Sequence, residues 1–443
     1  MQEPYIIPNN RRRRPPTPKW LRILAILLGV LLVAVLVYNL PPVKERLAWR
    51  VDALRTSIVY FFNPPEEAVF QPQITTISQP TQQQATRTPQ PTAEATAVPL
   101  PPQVQLDDFT YVDQHNRWNY CGPANMTMAL NFWGWQGNRD DVARYVKPGI
   151  GNNPNQPEDK NVMPYEMQDF VNTQVPGMQA LIRMGGELET LKRLLAAGYP
   201  AIVEKGYYTT DASGKYSWLG HYQFVTGYDD AEGVFIVQDT YERGGENGTG
   251  KNMRWPYDDF HAAWRQFNFL FIVVYPQEQQ AAVLEALGPW ADEEWAFANA
   301  MQIARADTET LTGLDAYYAW FNVGTSHVRL FEYADAAHAY DYAFQLYQGL
   351  DPDARPYRML WYQSWPYWAY YYSARYHDAI NLANTTLATI AEPTLEESIY
   401  WRGLAREAIG EIDNAIADYR EAVRLNPNFG PGIAQLQRLG VSP

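Results

Sequence analysis

Polar and apolar positions fall into blocks along the chain. Residues 1–19 are polar and proline-rich, with four consecutive arginines, Arg11, Arg12, Arg13 and Arg14, and they read as a basic tail. The stretch 20–40 is apolar apart from Arg22 and Asn39. With Arg22 snorkelling it reaches about 20 residues, the length that spans a hydrocarbon core of about 30 Å. Trp20 and Tyr38 stand where interfacial aromatics belong, and the arginines precede the span. The positive-inside rule then predicts a transmembrane helix with a cytoplasmic N-terminus and the rest of the chain outside the cell membrane. A cleaved signal peptide is the alternative, but Asn39-Leu40-Pro41-Pro42 follows the apolar run in place of a small-residue cleavage site.

In 41–62, Val43, Leu47, Val51, Leu54, Ile58 and Phe61 recur at helical spacing. They predict a juxtamembrane amphipathic helix that lies on the bilayer or pairs with a second copy. Residues 63–105 are rich in Pro, Thr and Gln and read as a linker. The pattern over 106–277 is mixed, with helical stretches at 123–133, 164–173 and 188–197. Strand-like runs cover 201–204, 221–228, 234–239 and 270–275. From 281 to 443 it is helical almost throughout.

Composition narrows the chemistry. A formal charge of −14 over 443 residues argues against nucleic acid as a partner. One cysteine excludes an intrachain disulfide framework. The six histidines form no HExxH or close pair, so no metal or other cofactor is expected.

The single cysteine sits in Trp118-Asn119-Tyr120-Cys121-Gly122-Pro123-Ala124-Asn125. Gly122 permits a tight turn and Pro123 suits the first helical position. Ala124, Met128 and Phe132 continue a buried stripe. Cys121 is thus predicted at a helix N-terminus, where the macrodipole favours the nucleophilic thiolate. A lone cysteine is also often a small buried hydrophobe. A second block, Gly220-His221-Tyr222-Gln223-Phe224-Val225-Thr226-Gly227-Tyr228, is a strand that starts beside a histidine. A turn over 229–233 returns through Val234–Asp239. A hairpin centred near residue 230 makes His221 and Asp239 cross-strand partners, close enough for the carboxylate to orient the imidazole. A thiolate acting on a carbonyl also needs oxyanion donors. The Cys121 N–H is one, and Gln114 is the side-chain candidate, with Asn116 and Asn119 as rivals.

Together, Cys-Gly-Pro-Ala at 121–124, Gly-His-Tyr-x-x-Val-Thr-Gly-Tyr-Asp-Asp at 220–230 and Asp239 after a short apolar strand resemble the bacteriocin-processing, double-glycine-type cysteine peptidases and their stand-alone relatives. The stretches 159–166, 260–268 and 271–275 also resemble that family. The resemblance covers 106–277. It implies an α+β papain-like cysteine peptidase fold with Gln114, Cys121, His221 and Asp239 as the site, in that chain order. It implies thiol-dependent hydrolysis of a peptide or protein substrate. Two departures stand out. No Walker-type loop or set of transporter spans is present, so leader processing does not carry over. Gln114 also lies further from the cysteine than the family pattern, with an apparent insertion at 115–117. An inactive binding scaffold, and a transpeptidase or amidase on the same triad, are the competing expectations.

In the tail, Trp320, Val323, Gly324, Ala336, Tyr340 and Ala343 fit tetratricopeptide spacing. Gly403, Gly410, Ala415, Tyr419, Ala422 and Pro427 fit a second copy, with a degenerate one around Ala379 and Ala383. This resemblance implies an all-α tetratricopeptide-like repeat domain over 281–443 that recruits a substrate or protein partner.

Overall fold

The computed structural model describes residues 19–40, 69–73, 99–115, 119–148, 161–210, 216–390 and 395–442, together with the single residues 43, 54, 58 and 117. Helix α1 (Lys19–Tyr38) is 20 residues long, has no buried residue, and is long and apolar enough to cross a membrane. A signal sequence near an N-terminus meets the same criteria of length and apolar character. The expected juxtamembrane helix at 41–62 lies outside the described residues apart from 43, 54 and 58.

The mixed segment folds around one antiparallel sheet. Its strands are β1 (Gln103–Gln105), β2 (Met178–Arg183), β3 (Ala201–Thr210), β4 (Tyr216–Asp229), β5 (Val234–Asp239), β6 (Met253–Pro256) and β7 (Phe271–Pro276). The order is β2-β7-β3-β4-β5-β6, with β1 pairing on β4. One face carries α2 (Cys121–Phe132), α3 (Arg139–Val146) and α4 (Pro164–Gln174), with Met128, Val142 and Phe170 against Ile202, Phe224 and Ile272. The other face carries α5 (Leu188–Ala196), α6 (Tyr257–Arg265) and α7 (Gln280–Leu287), with Leu194, Trp264 and Val283 against Val203, Val225 and Val273. Coverage on both faces explains why the central strands read as continuous apolar runs: alternate residues point to opposite layers and both layers are dry.

Three findings depart from the sequence expectation. The β4–β5 hairpin turns between Asp229 and Val234, later than a centre at residue 230, and carries an irregularity between Val225 and Gly227, so Asp239 stands opposite Gln223 and not opposite His221. The turn alone would set Asp239 against Phe224, and the extra residue in β4 moves it by one to Gln223, onto the strand face that His221 shares. Strand β3 runs on to Thr210, well past the apolar run that ends at residue 204. And the stretch expected as linker contributes structure: residues 103–105 pair with β4, and residues 69–73 pack on the helical region.

That region comprises α8 (Glu293–Thr310), α9 (Gly313–Arg329), α10 (Tyr333–Gly349), α11 (Met359–Tyr362), α12 (Trp365–Tyr372), α13 (Tyr376–Ala388), α14 (Glu396–Ala408), α15 (Ile412–Leu425) and α16 (Gly430–Arg438). A glycine-on-tyrosine contact recurs in two of its helix pairs. A Cβ on Gly324 would sit 2.7 Å from the Tyr340 ring, and one on Gly403 would sit 2.8 Å from the Tyr419 ring. Both tyrosines are fully buried. The missing side chain lets each aromatic ring lie flat on the partner backbone.

The helical region and the sheet share a core. Trp218 of β4 and Phe267 stack at 5.7 Å and join the cluster built on α9, α10 and α12. The Tyr362 ring meets Trp218 edge-on at 5.7 Å. Polar contacts fix the same junction: Arg358 donates to Ser217 Oγ at 2.5 Å, Gln363 to the Gln266 carbonyl at 3.0 Å, and Asn322 to the Arg265 carbonyl at 2.7 Å.

Candidate active site

Cys121 is the first residue of α2, partly accessible, with its thiol at the positive end of the helix. Two features hold it there. The Asn125 amide donates to the Cys121 carbonyl and to the Tyr222 carbonyl, both at 2.9 Å, which clamps the first helical turn onto β4. Gly122 packs where a Cβ would lie 3.1 Å from Val162 Cβ, so a larger residue would push the helix start off its seat.

His221 is buried on β4, next to Tyr222, whose carbonyl Asn125 holds. Its Nε2 lies 3.0 Å from Asp239 Oδ1. Because the β4–β5 register sets Asp239 against Gln223, the histidine reaches the carboxylate diagonally along the same face. With Nε2 committed to Asp239, Nδ1 is the nitrogen left for the sulfur. The Tyr207 ring meets the imidazole edge-on at 5.5 Å.

Asp239 is fully buried, and its carboxylate is satisfied from several sides. Oδ2 accepts from Gln223 Nε2 at 2.6 Å, and Oδ1 accepts from the backbone N–H of Tyr241 at 2.9 Å and of Glu242 at 2.8 Å. A buried charge with this many donors is the arrangement in which ionisation survives desolvation.

The electrostatics follow. Burial alone would lower the His221 pKa, but the charge of Asp239, its hydrogen bond and Cys121 raise it to about 9. Burial alone would raise the Cys121 pKa. The hydrogen bond to His221, the imidazolium charge and backbone donors outweigh it, and the thiol ends below its ordinary value. Burial works against the Asp239 carboxylate too, yet the charge of His221, its hydrogen bond and Lys205 hold it far below the usual carboxylate range. These directions agree with one another: each moves the thiol and imidazole toward a thiolate–imidazolium pair.

The structure therefore brings Cys121, His221 and Asp239 into one hydrogen-bonded chain. Gln114 lies next to it, on the Asp239 side. Its backbone N–H donates to the Thr240 carbonyl and its Oε1 accepts from Thr240 Oγ, both at 2.8 Å. Asn119 has a left-handed backbone (φ 48°), and its carbonyl accepts from Lys147 Nζ at 3.2 Å. Asn116 lies outside the described residues.

Four neighbours escaped the sequence reading. Gln223 follows His221 by two positions, so strand alternation places it on the same face. Lys205 stands opposite His221 in the β3–β4 register, buried, with Nζ 3.9 Å from the Trp255 ring centre and 4.7 Å from that of Tyr207. Burial lowers its pKa to about 8, against the pull of Asp239 and Glu242. Glu204 is buried beside Tyr222, and desolvation raises its carboxyl well above the usual range. Tyr111 donates to the Asp239 carbonyl at 2.8 Å. The signal for the first three was an amide and two adjacent charges inside strands with both faces covered.

No curated protein matches the chain. Among solved structures, one described as a C39-like peptidase from Bacillus anthracis is 17% identical with a TM-score of 0.30, covering 40% of this chain and 98% of its own. Xylellain, a cysteine protease from Xylella fastidiosa, is 14% identical with a TM-score of 0.30, covering 48% of this chain and 97% of its own. Residues 100–271 match the model of the Peptidase_C39 like family, a stretch that holds β1 to the start of β7 together with Cys121, His221 and Asp239. This part of the chain is accordingly a C39-like, papain-like domain, and a large all-helical region follows it.

Proposed function

We propose that the protein is a membrane-anchored cysteine peptidase in which Cys121 attacks a peptide carbonyl. The observation that carries this reading is the chain of contacts from the Cys121 thiol through His221 to the buried Asp239 carboxylate. His221 holds the thiol proton as an imidazolium, and the thiolate forms the C–S bond. The carbonyl oxygen takes up the displaced electron pair, stabilised by the Cys121 N–H at the helix start and by the Gln114 amide nitrogen. Thr240 already occupies the oxygen end of that amide, which leaves its N–H end to donate. His221 then protonates the leaving amine as the C–N bond breaks. The neutral imidazole next takes a proton from water, whose oxygen displaces the sulfur and releases the acid. Asp239 keeps the ring oriented and its charge compensated through both steps.

In this reading the chain is a stand-alone relative of the double-glycine-type peptidases. Helix α1 holds it in the cell membrane with the basic tail inside and the folded body outside. The helical region is tetratricopeptide-like and recruits a substrate or protein partner. Its support is the glycine-on-tyrosine contact repeated between α9 and α10 and between α14 and α15.

The test is digestion of a mixed peptide library by the full-length protein, read by mass spectrometry, beside Cys121→Ser, His221→Ala and Gln114→Ala. Cleavage at defined bonds that vanishes in the first two variants and falls about 100-fold or more in the third is the expected result. Intact thiol reactivity without any cleavage would point to acyl transfer on another amide. An unreactive thiol would leave a binding scaffold. Protease digestion of intact cells tests the topology, and a protected C-terminal body would overturn it.

A further inference from the structure

Five residues of the proline- and glutamine-rich stretch, Val69–Gln73, lie against the helical region as an extended peptide. Burial alternates along them: Phe70 and Pro72 are buried, while Gln71 and Gln73 are exposed. Phe70 is 5% exposed. Its ring meets Phe344 of α10 edge-on at 5.0 Å and Tyr370 of α12 at 5.7 Å. The backbone is gripped at two points. Gln348 of α10 donates to the Phe70 carbonyl at 3.4 Å, and the Gln73 N–H donates to Asp378 Oδ1 of α13 at 2.9 Å. The acceptor is itself held in place: Arg375 donates to Asp378 Oδ2 at 2.8 Å and grips Asp341 with two further bonds.

This is how a groove reads an extended peptide. Main-chain hydrogen bonds give the grip, and alternate side chains enter pockets. We propose that Val69–Gln73 is a peptide ligand bound in cis, and that the groove between α10, α12 and α13 is a receptor for an extended segment with an aromatic residue followed two positions later by proline. The bound segment acts as a clasp on the tether. Between α1 and β1 the chain has 64 residues, of which only the 30 at 39–68 separate α1 from the clasp. Fully extended, those 30 residues reach at most about 100 Å, against roughly 200 Å for the whole stretch. Docking the clasp therefore halves the distance at which the folded body can stand from the end of α1. The inference uses no catalytic residue and stands apart from the peptidase reading.

The test uses the full chain and a fluorescein-labelled synthetic peptide of residues 66–76, followed by anisotropy. In wild type the cis segment competes at an effective concentration near the millimolar range, so the peptide binds poorly. Phe70→Ala in the protein should empty the aromatic pocket and tighten peptide binding at least ~10-fold, with an unchanged circular-dichroism spectrum. The same substitution in the peptide should weaken its binding to that variant at least ~10-fold. Equal binding to wild type and variant, no binding to a folded variant, or indifference to the peptide's own phenylalanine would each overturn the proposal. Hydrogen exchange on unmodified protein gives an independent readout. The Gln73 amide should exchange at least ~10-fold slower than an unprotected one, and full-speed exchange would also overturn it.

Discussion

Replacing Asp239 by asparagine separates charge from geometry at the site. Asparagine keeps an oxygen that can accept from His221 Nε2, now 3.0 Å from the carboxylate, but brings no charge. In the wild type, burial depresses the imidazole pKa and Asp239 more than restores it, leaving it at about 9. An opposite charge in contact is worth about 1–3 pKa units, or roughly 1.4–4 kcal/mol. The imidazolium of Asp239→Asn should therefore lose its proton between about pH 6 and 8. Alkylation of Cys121 by iodoacetate reads this directly, because the reagent is an anion drawn to the imidazolium and the chain has one cysteine. The wild-type rate should rise at a pH below that of an ordinary thiol, about 8.5, and fall again through about 9. In Asp239→Asn the falling limb should move down by at least one unit, and in Asp239→Ala, which also lacks the acceptor, at least as far. A falling limb that stays near 9 in Asp239→Asn would show that the Asp239 charge does not hold the imidazolium.

The same shift predicts a pH dependence of stability. The folded His221 pKa, about 9, is above the unfolded value near 6.5, so its stabilisation is complete below pH 6.5 and is lost as pH rises through 9. The ceiling is about 3 kcal/mol. Cys121 is shifted the opposite way and its proton offsets this one in the wild type, so the comparison is made without the thiol: thermal unfolding of Cys121→Ala should lose ground relative to Cys121→Ala/His221→Gln between pH 6.5 and 9.5, and parallel curves would contradict the linkage. Gly122→Ala should cost about 1–3 kcal/mol in urea unfolding and slow Cys121 alkylation, since the new methyl would meet Val162 at 3.1 Å. Trp264→Ala, at a fully buried ring on the sheet face opposite α2, should cost about 3–5 kcal/mol while leaving the alkylation pH profile of whatever folds unchanged.

The start of α2 was legible because Gly122 and Pro123 punctuate the backbone next to a thiol. The apolar runs at 221–228 and 234–239 were legible as strands for the same local reason. Their register was not, since neither the late turn between Asp229 and Val234 nor the irregularity at Thr226 leaves a mark in the hydrophobic pattern. His221 and Asp239 still meet because a diagonal neighbour on one strand face is within reach of a long side chain. Glu204 and Lys205 were hidden by the rule that charges end a buried strand. Here β3 continues, and the charges are absorbed by Tyr222, Trp255 and Tyr207. Helix α3 carried a readable start, Asn138 capping with Asp141, that its few apolar residues obscured. Nothing local distinguishes Val69–Gln73 from the rest of its proline-rich surroundings. Its partners lie some 280 to 300 residues away.

The shared core at Trp218 and Phe267 bears on how the chain is made. The ribosome releases the sheet and Cys121 first, and the helices that cover those two rings follow over residues 313–372. At 5–20 residues per second the gap between residue 277 and the end of α12 is on the order of 5–20 s. For that interval the nascent sheet presents a large aromatic face, and Ser217 and Gln266 await Arg358 and Gln363. A gene truncated after the sheet would freeze that state. The helical region is thus a late-arriving part of the core, and shuffling it onto another chain would leave a sticky half behind.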